Sequence, residues 1–125
     1  MQDLKELLRA FVICAFAQAC DIVSSLWFNP KTNGLAEANP FARHADGTFF
    51  LYHGIVLKTI FLGEFSLIAL ALYFALYRVN RTAAVIAAMV PLFYFAFNGF
   101  DAAVTNAFAY SGWYQSVSIF GVTIL

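Results

Sequence analysis

The sequence predicts an all-α fold, an integral membrane helical bundle of three full transmembrane helices plus a short apolar C-terminal segment that is a candidate fourth helix. Three observations predict it. Of 125 residues, 62% are hydrophobic and only 11% are charged, whereas a soluble domain carries roughly 25% charged residues. So little charge does not cover a water-facing globule. The apolar residues also fall in long continuous runs, not in the alternating ~10-residue segments of a membrane barrel. Lipid offers the backbone no hydrogen bonds, so a spanning chain is helical or a closed barrel, and run length selects helices. Finally, capping, proline and glycine signals divide the runs where helices should begin and end.

Asp3, with Glu6 three residues on, forms a capping-box pattern that opens a first helix over about residues 4–28. Lys5 and Arg9 ahead of the apolar stretch, with Ala15-Phe16-Ala17 after it, resemble a secretory leader. Ala17-Gln18-Ala19-Cys20 is a poor lipoprotein box without the large aliphatic residue, and the stretch is read as a retained first span. Gln18, Asp21 and Ser25 recur at three- and four-residue spacing and share one face. Ala15 and Ala19 form a small-xxx-small pair that would admit a neighbouring helix. Cys14 and Cys20 are six apart, point to different faces and cannot bridge each other; they read as small hydrophobes. Asn29-Pro30 ends the span.

Residues 29–48 form a loop with turn signals at Asn33-Gly34 and Asp46-Gly47. Asn39-Pro40 opens a short interfacial helix to His44, and Thr48 caps a second span over about residues 49–77. That span carries His53, Lys58 and Glu64 in its first part and no charge from Phe65 to Tyr77. Arg78, Asn80 and Arg81 make a tight connection. Asn80-Arg81-Thr82 matches a glycosylation sequon but lies too close to the membrane; Thr82 is expected to cap a third span over about residues 83–110. Ala83/Ala87 and Ala84/Ala88 offer small faces, Pro91 should kink the helix, Asn98-Gly99 should loosen it, and Ser111-Gly112 should stop it. Residues 112–125 are uncharged and shorter than the ~20 residues of a full span. A partial fourth helix, an interfacial segment led by Trp113 and Tyr114, and cover by a partner subunit all stay open.

Lys5, Arg9, Arg78 and Arg81 fall on one side of the membrane, Lys31 and Arg43 on the other. This bias places the N-terminus in the cytoplasm and the 29–48 loop outside, in a multi-pass protein of the cell (inner) membrane. Net charge is zero with no basic run, which argues against nucleic acid as a partner.

Charges inside such spans cost at least ~2.5–3.5 kcal/mol on insertion scales, so they pair or face a cavity. At ~1.5 Å per residue, Asp21 lies roughly 10 Å from the outer end of its helix, and Lys58 and Asp101 roughly 14 Å. Three helices thus bring their charges to about one level, with Ser24, Ser25 and Asn98 alongside. Either Lys58 pairs with one or both aspartates to hold the bundle, or the surplus carboxylate makes an ion, proton or small-ligand site. Glu64 sits deeper and faces away from Lys58 but the same way as His53, since eleven residues are close to three turns. It reads as a functional group or as a neutral acid hydrogen-bonded to a neighbouring helix.

His53 is where a haem or pigment would be ligated, but no HxxxH, CxxC or ExxH spacing accompanies it, and neither metal nor cofactor is expected. The 15 phenylalanines and six tyrosines are the normal lining of a lipid-facing bundle. No hydrolase, nucleotide-binding or zincin motif is present, and Ser24 and Ser25 have no histidine base in sequence reach, so enzyme activity is not expected.

Asp21-Ile22-Val23-Ser24-Ser25, then Gly34-Leu35-Ala36-Glu37-Ala38-Asn39-Pro40, then Lys58, resembles a family of short prokaryotic membrane proteins of unknown function. That family has an aspartate and a following hydroxyl residue late in its first helix, a G-x-x-E-x-N-P loop and a lysine in its second helix. The resemblance covers roughly residues 15–65 and implies a fold, not an activity. It implies that Asp21, Glu37, Asn39 and Lys58 belong together, with the Glu37, Asn39, Pro40 loop as a lid over the outer mouth. The expected function is a small non-enzymatic integral membrane protein, an accessory or assembly subunit of a larger complex. Its partners would be membrane lipid and other membrane subunits or copies of itself. The alternative is a small oligomeric transporter or ion conductor using the Asp/Lys cluster.

Overall fold

The computed structural model describes residues 2–28 and 50–110. These form α1 (Gln2–Phe28), α2 (Leu51–Tyr77) and α3 (Arg81–Tyr110). Each contains a stretch long and apolar enough to cross a membrane: Gln2–Trp27, Leu51–Tyr77 and Arg81–Ala107. Twenty-seven helical residues rise about 40 Å, more than the ~30 Å of hydrocarbon in a bilayer. The predicted loop helix at Pro40–His44, the Thr48 cap and the apolar segment 112–125 lie outside the described residues.

α3 is the spine. α1 and α2 both pack along it and touch each other far less. Small side chains make this possible. Toward the α2–α3 turn, Leu7, Ala10, Ala69, Ala88 and Leu92 are buried together, with Tyr73 and Met89 against them. Further along, Cys14, Ala17, Phe95 and Ala96 form a second buried group backed by Leu62 and Phe65. Alanine at a crossing point lets two backbones approach, which drives helix association where lipid tails are as apolar as leucine. Ala84 and Ala88 serve this way, as the spacing predicts. On α1, however, Ala19 is exposed, and the close face is Ala10, Cys14 and Ala17.

Three expected helix signals resolve differently. α1 already includes Gln2, so Asp3 lies inside its first turn. Its carboxylate accepts from Arg81 Nε at 2.6 Å and from the Tyr73 hydroxyl at 3.0 Å instead of capping. A charged donor from a facing helix is a stronger partner than a backbone amide. Glu6 correspondingly accepts from Gln2 at 3.1 Å and from Arg9 at 2.8 Å. At α3 the cap is Asn80, not Thr82: Asn80 Oδ1 accepts the Ala83 amide at 3.0 Å and the Asn80 carbonyl accepts that of Ala84 at 2.9 Å. Asparagine is among the best capping residues and occupies the position that the tight turn leaves non-helical. Finally, Asn98-Gly99 does not interrupt α3, which is one helix from Arg81 to Tyr110 with Pro91 inside it. Gly99 is a contact point and not a break: a Cβ there would lie 2.7 Å from the Ala17 carbonyl oxygen.

The Asp3–Arg81 ion pair and the Tyr73 hydrogen bond place the start of α1, the end of α2 and the start of α3 at one end of the bundle. The three-helix up-down-up path follows from that.

Candidate polar site inside the bundle

One face of α1 carries Cys14, Ala17, Gln18, Asp21, Ser24 and Ser25, all buried. Three- and four-residue steps keep them in line, so the helix brings its apolar packing and its polar groups to the same neighbours. Asp21 forms a salt bridge with Lys58 of α2. Both side chains are largely withdrawn from the surface, 13% and 23% exposed. Because α1 and α2 otherwise meet little, this ion pair is a principal link between them.

The network closes on α3. Asn106 Nδ2 donates to Ser24 Oγ at 2.9 Å, to Ser25 Oγ at 3.0 Å and, more weakly, to Asp21 Oδ1 at 3.5 Å. One amide has two hydrogens for these three oxygens, so the longest contact is the shared one. Ser24 Oγ in turn donates to the Asp21 carbonyl at 2.9 Å. The Lys58 ammonium also lies 6.0 Å from the centroid of the Phe95 ring, at the outer limit of a cation–π contact. That ring is buried and stacked on Phe65, with centroids 4.7 Å apart.

One turn further down α1, the Gln18 amide nitrogen donates to the Phe95 carbonyl of α3 at 2.6 Å. Its oxygen, Oε1, is buried without a hydrogen-bond partner. The Gly99 contact lies against the same glutamine, since a Cβ at 99 would also sit 2.7 Å from Gln18 Nε2.

Of the residues that the sequence groups in one layer, Asp21, Ser24, Ser25 and Lys58 come together. Asp101 is half-buried on α3, and five residues place it about 140° around the helix from Asn106. Asn98 is half-buried, and the amide that joins the serines is Asn106, eight residues on. Glu37, Asn39 and Pro40 lie outside the described residues. His53 and Glu64 are exposed on α2, with the His53 ring 4.3 Å from that of Phe50. Cys14 is buried, Cys20 is half-buried, and both are free thiols. Sequence reasoning passed over Asn106, Gln18 as a cross-helix tie, Phe95, and the Asp3–Tyr73–Arg81 group. The signal for the last was present: opposite charges, Asp3 and Arg81, at the same predicted end of the bundle.

Chemically, the site is a lysine–aspartate pair beside two serine hydroxyls, with one amide donating chiefly to the hydroxyls. The serine hydroxyls receive hydrogens from Asn106, which orients them and abstracts nothing. Comparison of the chain with protein-family models, curated proteins and solved structures finds no match.

Proposed function

We propose that this chain is a small non-enzymatic integral membrane protein that serves as an accessory or assembly subunit of a larger membrane complex. The observation that carries the reading is the closure of the polar network: Lys58 goes to Asp21, and Asn106 goes to the serines beside it. Groups spent on fastening three helices to one another make a rigid element, and α2 then shows most of its surface to the membrane. The positive charge bias supports an inner-membrane location with a cytoplasmic N-terminus. The resemblance carried by Asp21, Glu37, Asn39, Pro40 and Lys58 supports a prokaryotic setting and leaves the activity open.

Extraction in mild detergent and affinity purification test this. Larger membrane proteins should be recovered in fixed ratio with the chain. Recovery of the chain with nothing but copies of itself overturns the accessory role.

A second reading, a small oligomeric transporter or ion conductor, is favoured by one observation. Gln18, Asp21, Ser24 and Ser25 make a polar column down the buried face of α1, and Gln18 Oε1 is an unmet acceptor within it. Flux into proteoliposomes tests this. Any flux that survives both Asp21→Asn and Lys58→Met does not run through this column.

A further inference from the structure

α2 is the helix least covered by the rest of the chain: Gly54 and Ala69 are its buried residues. Most of what it shows is lipid-compatible, including Leu51, Ile55, Ile60, Leu67 and Phe74. Glu64 is not. Among the described residues its side chain is exposed and makes no hydrogen bond or ion pair.

Its position makes this notable physically. Glu64 is the central residue of α2, thirteen residues from Leu51 and thirteen from Tyr77. That is about 20 Å from either end of the helix, the depth at which water is scarcest. It also points away from the bundle. At ~100° per residue it stands about 120° around α2 from Lys58 and about 140° from buried Ala69. The neighbouring helices α1 and α3 therefore do not supply its partner. Acyl chains offer no hydrogen bond at all, and an ionisable group at such depth is expected to have a polar partner.

We infer that the Glu64 face of α2 is a self-association surface, on which two copies of this chain pair in parallel with their Glu64 carboxyl groups hydrogen-bonded to each other. The symmetry supplies the chemistry. Copies inserted in a membrane share one topology, and a two-fold axis along the membrane normal sets each residue against its own equivalent at the same depth. A carboxyl group at the helix centre then meets a carboxyl group, and one proton between them suffices for a hydrogen bond. A second copy is the occupant that brings a matching polar group to this depth without a further protein.

The shape of the face agrees. Ala71 and Ala75 lie within about 20° of the Glu64 direction on the helix, about two and three turns further along, with Ile68 between. Both are exposed. Gly63 beside Glu64 has nothing within 4 Å of where a Cβ would stand. A second helix can therefore come close at Ala71 and Ala75, while exposed Ile60, Leu67 and Ile68 flank the carboxyl group and would pack against their own equivalents. His53 lies on the same strip toward the other end, exposed and set against Phe50. This inference needs α2 to cross the membrane but does not rest on the accessory role, which the co-purification experiment tests separately.

Cysteine cross-linking in lipid vesicles tests it. In full-length chain with Cys14 and Cys20 replaced by alanine, Leu67→Cys and Ala71→Cys should give disulfide-linked dimers on oxidation. Val12→Cys, on the exposed side of α1, should give none. Glu64→Leu should weaken the dimer at least tenfold in an equilibrium measurement in vesicles, while Glu64→Gln, whose amide also pairs with itself, should retain it. Helix content and melting temperature of the monomer in detergent should stay unchanged in both, because Glu64 is exposed and makes no hydrogen bond or ion pair among the described residues. Monomer alone at every α2 position overturns the inference. So does a dimer indifferent to Glu64→Leu, and so does cross-linking of Leu67→Cys only to a different, larger protein, which would leave the accessory reading standing.

Discussion

Asp21 and Lys58 stabilise the bundle less by attracting each other than by sparing each other an unpaired state. Removing one partner of a buried ion pair leaves a charge without compensation, a loss of about 3–5 kcal/mol in fully buried cases. Here both groups keep some exposure, so about 1–3 kcal/mol is expected for Asp21→Asn or Lys58→Met alone. The double variant Asp21→Asn/Lys58→Met should recover part of that loss. A double-mutant cycle read by thermal unfolding in detergent should give a coupling of about 0.6–2 kcal/mol. Additive losses would mean that the pair does not hold the helices. These two residues were legible because charges are rare in apolar runs and helical rise gives their depth. Asn106 was not. It lies four residues from the end of α3, where an amide looks like an ordinary solvated helix end. Its match was Ser24 and Ser25, equally near the end of α1, and neutral groups do not announce themselves by cost as charges do.

At the scale of helices, the closest approach is α1 against α3 at Gly99. A methyl group there meets backbone, the Ala17 carbonyl, and not the movable tip of a side chain. Gly99→Ala should therefore separate the two helices and cost about 1–3 kcal/mol despite its better helix propensity. The gain expected for an exposed helical glycine is the outcome that would refute this, and Gly63→Ala provides that comparison, since its surroundings are open. The three helices themselves were readable to within about two residues at each end, a normal margin for helix termini. Which small residues meet was not. Spacing shows that Ala15 and Ala19 share a face, but only the partner's position decides whether that face or the one bearing Ala10, Cys14 and Ala17 is covered. Likewise Asn98-Gly99 reads as a weak point in isolation, and becomes a docking notch only when α1 lies against it.

For the whole molecule, the Asp3–Arg81 pair fixes a topology that can be checked from outside. Single cysteines at Lys5 and Asn80 should react with an impermeant thiol reagent from the same side of the membrane, and one at Phe50 from the opposite side. Labelling of Lys5 and Asn80 from different sides would break the three-span arrangement. The orientation proposed from the charge bias would make the shared side the cytoplasmic one. Composition and run length suffice to reveal three crossings, because the lack of charge leaves few other ways to fold. The order of packing is different information. That α3 lies between the other two in contact, with α1 and α2 meeting less and tied by the Asp21–Lys58 pair and the Tyr73–Asp3 hydrogen bond, depends on side-chain fit that no single helix displays.

That central place of α3 has a consequence for how the chain is made. α1 and α2 leave the ribosome before α3, yet most of the surface each needs for docking belongs to α3. Until α3 is in the bilayer, Asp21 and Lys58 have at most each other, without the Asn106 amide that orders the serines beside them. The nascent protein must therefore pass through a stage with two crossings inserted and no settled interface between them. The first two crossings are gathered only when α3 arrives.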